Sequence, residues 1–424
     1  MASDKEGLLK PTLSLFDATT ISIGAIIGGG IYVVTGIAAG LAGPALILSM
    51  IIAGVIASFT ALSFVELTKW LPKEGSVYEF AYQLISPFTG FLTGWMWIVS
   101  NTFVGAAVSL GFAYYLNTIL PFIDSRIIAA IVCLIFTALN IIGSKQSAKI
   151  NNLLVLAKIC ILIIFCAVGL FYVQSSNFVP FMPSELGVFS GAFFIFFAYG
   201  GFARIAVVAE EVKDAKRNVP RAIILSLAIS TVIYILVGVV AVGLIGSDSL
   251  SNSNTPLSDA IRIVNSPILV YLVSVGGMLA TATVLLTTIL GVSRMAFAMA
   301  RKGDLPSAFR KLSPKYNTPI WSILIFGIVM VGLTLFVDLA GVVAVSNFAL
   351  LFYYAITNGS DLRLQNNLRT YPKILPVIGL ITCLILLAFV QLSTFLIGCA
   401  CLIVGTFYYI VKKKYAGIWN QTST

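Results

Sequence analysis

Ile21-Ser22-Ile23-Gly24-Ala25-Ile26-Ile27-Gly28-Gly29-Gly30-Ile31-Tyr32 lies within the first long apolar run of the chain. An apolar run of about twenty residues reads as a helix crossing a hydrocarbon core of roughly 30 Å. Three adjacent glycines inside such a helix cost about 1 kcal/mol each relative to alanine, so a break is expected here. Peptide groups freed by a break cannot be left to hydrocarbon; they must line a cavity or face other protein. Phe197-Ala198-Tyr199-Gly200-Gly201-Phe202 interrupts a later apolar run in the same way. Glycines also let helices pack closely in membranes, but a second interruption in register favours a break in both places.

The rest of the 424-residue sequence agrees with a membrane setting. It is 59% hydrophobic and only 10% charged, where a soluble protein carries about a quarter of its residues as charges, so a soluble globular protein is excluded. Twelve apolar windows recur, at 15–41, 44–67, 88–116, 127–142, 153–173, 188–208, 222–245, 268–298, 320–337, 342–356, 374–391 and 394–411. The two glycine breaks lie in the first and the sixth. With five helices from one break to the next, the second five run opposite to the first, as in an inverted-topology repeat. The expected organisation is a cytoplasmic tail at 1–11, a first five-helix repeat at 12–173 and a second at 174–358. Two accessory helices at 359–411 and a cytoplasmic tail at 412–424 complete it. No removed signal peptide is expected at the start, because the first apolar run lacks a small-residue cleavage site.

The formal charge of +10 comes from 26 Lys and Arg against 16 Asp and Glu. Placed on alternate sides of twelve spans, 23 of the 26 fall on the side of the N-terminus, Arg126 and Arg262 fall opposite, and Lys158 lies within a span. Basic residues accumulate on the cytoplasmic side, so both termini are expected inside the cell membrane and no nucleic-acid partner is expected. His is absent, and Cys133, Cys160, Cys166, Cys383, Cys399 and Cys401 all sit in apolar runs, where they read as buried thiols. No metal cluster, P-loop or nucleophile motif is visible, so neither a cofactor nor an enzyme is expected.

A broken helix has its own chemistry. The N–H groups that open the second half attract a carboxylate, and the carbonyls that end the first half attract an ammonium. An amino acid carries both groups. Paired broken helices suit alternating access better than a channel, and no selectivity-filter repeat is present.

These residues also resemble the amino acid–polyamine–organocation transporters. The stretch 21–32 is similar to the first-helix motif of that family. Ala61-Leu62-Ser63-Phe64-Val65-Glu66-Leu67 with Pro72-Lys73-Glu74-Gly75-Ser76-Val77-Tyr78 resembles its second-helix ending. Phe197–Phe202 with Glu210-Glu211-Val212-Lys213 through Arg221-Ala222 resembles the sixth helix and its loop. Ser293-Arg294 through Arg301-Lys302-Gly303-Asp304-Leu305-Pro306 resembles the segment after the eighth. The resemblance implies an all-α integral membrane protein of the LeuT-like fold: twelve transmembrane helices, five plus five in an inverted repeat, and two accessory helices. It implies that the N–H groups of Gly28, Gly29 and Gly30 receive a substrate carboxylate. Carbonyls near Ile26, Phe197 and Gly200 receive its ammonium. Ala203 stands where many members carry an acid, and Ala215 where proline is common.

Lys158 lies about six residues into the fifth span, roughly 8–10 Å from the boundary at 1.5 Å per residue. A lysine inside a span costs about 2.5–3.5 kcal/mol and marks ion or substrate routes, because burial disfavours its charged form. In the resembled family a lysine here takes the place of the sodium ion of sodium-coupled relatives. The resemblance makes the Gly24 carbonyl and the Thr283 hydroxyl its partners. Three readings stay open: a charge state that controls the cycle, a permanently charged tie, and a side chain that snorkels to the interface.

The other ionisable groups have plainer readings. Glu66 and Asp17 read as interface or helix-cap groups, Arg294 as a cytoplasmic anchor, and Arg204 as a partner of Glu210 or Glu211 that could instead reach an acidic substrate side chain. Trp95, Trp97, Tyr114 and Tyr115 read as an interfacial aromatic belt or a pocket wall. No carboxylate lies deep in the core to meet a cationic side chain, so neutral or broad-range amino acids are expected, with Phe197, Tyr199 and Phe202 suiting an apolar pocket. The function that follows is a secondary active amino acid transporter working by alternating access, proton-coupled by virtue of Lys158. A sodium-independent exchanger with Lys158 as a fixed tie, and a non-transporting amino acid receptor, are the alternatives. Expected partners are the amino acid, co-transported protons and the lipid bilayer.

Overall fold

The computed structural model describes residues 12–71, 75–121, 123–143, 148–207, 211–316 and 318–422. Pro72, Lys73, Glu74 and Glu210, named above, lie outside them. Among the described residues the chain is helical, with a lone bridge between Leu13 and Val212.

The first helix, α1 (Leu15–Ile26), starts where a polar cap meets the apolar run. The Ser14 hydroxyl accepts the Asp17 N–H, and the Asp17 carboxylate accepts the Ser14 N–H in return. This reciprocal box satisfies two N–H groups that a helix start leaves free. Asp17 is therefore a helix cap, and it also accepts from Asn152 Nδ2 at 2.7 Å. The helix stops at Ile27, and α2 (Gly29–Ala42) resumes after Gly28, whose φ of −104° and ψ of −151° are extended. The expected break is present.

The chain continues through α3 (Leu46–Trp70), a short α4 (Ser76–Leu84), α5 (Pro87–Asn117), α6 (Ser125–Ile142) and α7 (Ala148–Gly169). Then α8 (Glu185–Tyr199) gives way to a 3-10 turn at Gly200–Ala203 before α9 (Arg204–Val207). This is the second interruption. Next come α10 (Ala215–Ser251), kinked where Gly246 takes φ 75°, and α11 (Pro256–Ile261). The chain ends through α12 (Pro267–Arg301), α13 (Ile320–Phe336), α14 (Leu339–Arg363), α15 (Ile374–Leu387) and α16 (Leu392–Thr422).

Nine helical stretches among the described residues are long and apolar enough to cross a membrane. The first is a 56-residue run from Leu15 to Trp70, and Ile320–Phe336 and Ile374–Leu387 are apolar but shorter. Several helices outrun the apolar windows: α10 begins at Ala215 rather than 222, and α16 continues through residues 412–422, where a tail was expected. Lys and Arg are good helix formers, so a helix continues into its polar flank while hydropathy stops at the first charges.

The bundle is built around α5, which packs against α12 and α14, while α2 packs on α8 and α3 on α10. In the most apolar window of α5 and of α14, 78% of residues are buried, against 17% in α16, so the former are the interior and the latter the rim. Phe171, Ile268 and Phe336 stay exposed on the outside, where lipid rather than water suits them. Cys133, Cys166 and Cys383 are buried thiols as expected. Cys160 is exposed, because its position on α7 faces outward from the bundle, and Cys399 and Cys401 on the rim helix α16 are only partly buried.

Candidate functional site

The two interruptions touch. A Cβ on Gly201 would stand 2.2 Å from the Ala25 carbonyl carbon and oxygen, and a Cβ on Gly30 would stand 2.6 Å from the Ala198 Cα. Each break thus contributes a residue small enough for the other's backbone to approach, which only glycine permits at such distances. The space left beside them is a small cavity. Ile26, Gly28, Gly29, Gly30, Phe197 and Gly200 all line it, so residues about 170 apart in sequence meet at one site. Its other walls include Asn101 and Val108 from α5, Val284 from α12 and Tyr353 from α14.

The freed peptide groups are unevenly occupied. The Gly28 N–H donates to the Ile26 carbonyl at 2.7 Å, which takes it out of the set expected to meet a carboxylate. Gly29 and Gly30 fall in the first turn of α2, where N–H groups have no intrahelical acceptor. They remain available to a ligand anion. On the acceptor side, the Tyr234 hydroxyl donates to the Ile26 carbonyl at 2.6 Å and to the Ala198 carbonyl at 3.1 Å. The Tyr354 hydroxyl donates to the Gly200 carbonyl at 3.0 Å, and the Phe197 carbonyl accepts the Gly200 N–H. The Phe197 and Gly200 carbonyls each accept one such bond and keep a second lone pair for an ammonium; the Ile26 carbonyl, which also accepts the Gly28 N–H, has one free only when the single Tyr234 proton turns to Ala198. Sequence reasoning missed Tyr234 and Tyr354, since a tyrosine within an apolar run carries no mark of which distant carbonyl it will reach.

A second cavity adjoins the first and shares Ala25, Asn101 and Arg204 with it. Gly24 and Thr283 line this second space. Lys158, fully buried on α7, donates from Nζ to the Gly24 carbonyl at 3.1 Å and to the Thr283 hydroxyl at 3.2 Å. The ammonium therefore points into the bundle, between the end of α1 and the middle of α12, and snorkelling is excluded. It has no ion-pair partner among the described residues.

Other residues fall differently from expectation. Arg204 donates from Nη1 to Thr287 Oγ1 at 2.6 Å and from Nη2 to Thr288 Oγ1 at 2.7 Å, and no ion pair joins it to Glu211. The turn at Gly200–Ala203 aims it along α12 rather than back along its own loop. Arg294 and Trp97 line the second cavity. Trp95 donates to the Cys401 carbonyl at 2.9 Å, and buried Tyr115 donates to the Tyr32 carbonyl at 2.7 Å. Of the three aromatics near the second break, Phe197 lines the cavity; Tyr199 and Phe202 are packed among Tyr234, Phe64 and Tyr354. Glu66 accepts the Thr370 N–H with both oxygens, at 3.0 and 2.8 Å, tying α3 to the loop before α15. Among the described residues no group of His, Cys, Asp and Glu could hold a metal ion.

A family model described as amino acid permease matches residues 13–409. The chain is 33% identical over 454 residues to the methylthioribose transporter of Bacillus subtilis, covering 99% of this chain and 97% of that one. It is 30% identical over 453 residues to the branched-chain amino acid permease BcaP of the same species, with 99% and 97% covered. It is also 31% identical over 357 residues to the vacuolar cationic amino acid transporter 4 of Arabidopsis thaliana, covering 78% of this chain and 59% of that one. The chain belongs to the amino acid permease family of the amino acid–polyamine–organocation transporters, and is a multi-pass membrane transporter rather than an enzyme.

Proposed function

We propose that this protein is a secondary active amino acid transporter that works by alternating access, with the substrate held between the two broken helices. The observation that carries this reading is the single cavity lined by Ile26, Gly28, Gly29, Gly30, Phe197 and Gly200. The N–H groups of Gly29 and Gly30 offer positive ends to the substrate carboxylate, and the carbonyls of Ile26, Phe197 and Gly200 offer acceptors to its ammonium.

The membrane arrangement of this reading is the LeuT-like one. Counting the 56-residue stretch as two crossings and each shorter apolar helix as one gives twelve spans, with both termini on the cytoplasmic, Lys- and Arg-rich side of the cell membrane. The contact of the two breaks supports repeats at 12–173 and 174–358 that rock against each other about the site.

Lys158 supplies the coupling. Its ammonium sits where a cation can hold α1 against α12, so gaining or losing a proton there changes how firmly the first broken helix is tied. Proton-coupled uptake follows. The two hydrogen bonds of Lys158, to Gly24 and Thr283, also favour a second reading, in which the lysine stays charged and the protein exchanges amino acids without an ion gradient. Accumulation of labelled amino acids in proteoliposomes tests transport itself: concentrative uptake or counterflow is expected, and binding without either would mean a receptor.

A further inference from the structure

Family membership leaves the substrate side chain open, since relatives carry names as different as methylthioribose, branched-chain amino acid and cationic amino acid transporter. The absence of a deep carboxylate argues against cationic side chains but does not separate neutral from acidic ones. The electrostatics around Arg204 do.

Arg204 opens α9 directly after the second break and lines both cavities. It is charged at every physiological pH and has five N–H groups, of which the two hydrogen bonds to Thr287 and Thr288 use two. Lys158 rests on the hydroxyl of Thr283, four residues and one helical turn from Thr287 on the same helix. A third cation, Arg294, lines the second cavity. Among the described residues, neither cavity is lined by Asp or Glu, and no ion pair involves any of these three side chains. Lys158 is buried without a counter-charge, which is costly, and the summed field of the three cations draws an anion into the space they border. A zwitterion with a neutral side chain brings no net charge to that field, and a basic side chain adds to the repulsion. A second carboxylate answers it. A guanidinium binds a carboxylate through parallel N–H bonds, a geometry that an amide or alkyl group cannot match.

We propose that the transported substrate is an amino acid with a side-chain carboxylate, its α-carboxylate at the N–H groups of Gly29 and Gly30 and its side-chain carboxylate on Arg204. The proposal rests on the amino acid transport reading given above, and makes Arg204 the residue that sets specificity.

The test is uptake by the full-length protein in proteoliposomes, with labelled L-glutamate and L-aspartate compared with L-glutamine, L-leucine and L-lysine. The wild type is expected to prefer glutamate or aspartate to glutamine by about 10-fold or more, as follows from losing a charge-assisted hydrogen bond. Arg204→Gln is expected to raise the KM for the acidic substrates by about 10- to 100-fold and to shrink the gap to glutamine. Arg204→Lys should retain part of the preference. Uptake of leucine or glutamine with no uptake of acidic amino acids would overturn the proposal and leave the transporter reading intact. An equal loss for every substrate in Arg204→Gln would place the α-carboxylate on Arg204 and also overturn it. Should that variant not fold, the wild-type competition series decides alone. If no amino acid of any class binds or moves, the transporter reading fails and this proposal with it.

Discussion

Gly201 packs directly on the backbone of Ala25, with room at 2.2 Å for no more than a hydrogen. The two interrupted helices are thus joined at the point where each is open. Gly201→Ala is expected to cost about 1–3 kcal/mol by overpacking against a backbone that has no rotamer to yield. A lower melting temperature in detergent checks this. An unchanged melting temperature would mean that the breaks do not bear on each other.

At Gly29 the neighbours are side chains: a Cβ would lie 2.9 Å from Thr281 Cγ2 and 2.9 Å from Val108 Cγ1. Gly29→Val places still more bulk beside an N–H group assigned to the substrate carboxylate. Substrate-induced thermal stabilisation is expected to vanish in this variant. Wild-type binding in a folded Gly29→Val protein would remove the carboxylate site from α2.

The Tyr234 hydroxyl joins the Ile26 and Ala198 carbonyls, one from each broken helix. Tyr234→Phe leaves both without that donor, at an expected cost of about 0.5–1.5 kcal/mol in stability. Measured uptake should show a changed KM as well, because one of the carbonyls assigned to the ammonium is then no longer held in place. An unaltered KM together with reduced stability would confine Tyr234 to a packing role.

Much of this was legible in the sequence, for identifiable reasons. Hydropathy marks membrane spans because lipid demands apolar length, and adjacent glycines mark breaks when they recur in register in two helices, which close packing alone does not require. The six cavity residues and the contacts of Lys158 with Gly24 and Thr283 were named from motifs and are brought together in space. Partners set by tertiary geometry were not legible. Tyr234 and Tyr354 sit in runs where any aromatic would suit, and the turn of Arg204 toward Thr287 and Thr288 depends on how the chain leaves the 3-10 segment. The exposure of Cys160 and the inward place of Trp97 likewise depend on which helix face meets a neighbour.

At one end of the bundle, the Tyr78 hydroxyl donates to Asp304 at 2.7 Å and Lys302 pairs with Glu79 at 2.6 Å, linking α4 to the loop after α12. Burial raises the Asp304 carboxyl above its usual 3.8, against the opposing pull of the Tyr78 hydrogen bond and of Lys412 and Lys302. A carboxyl raised in the folded state favours that state while protonated. Its contribution is whole below 3.8 and is lost as pH rises through the raised value. Thermal stability should therefore show a falling component over that range, and Asp304→Asn should remove it. An identical pH profile in the variant would assign the dependence elsewhere.

The charge on Lys158 is the centre of the account. Uptake in proteoliposomes under an imposed pH gradient or an imposed sodium gradient, wild type beside Lys158→Ala, tests it most directly. Wild-type uptake is expected to follow the pH gradient and ignore sodium, and the variant to lose the response to pH. Sodium-driven uptake in the wild type, or equal pH-driven uptake in Lys158→Ala, would contradict it.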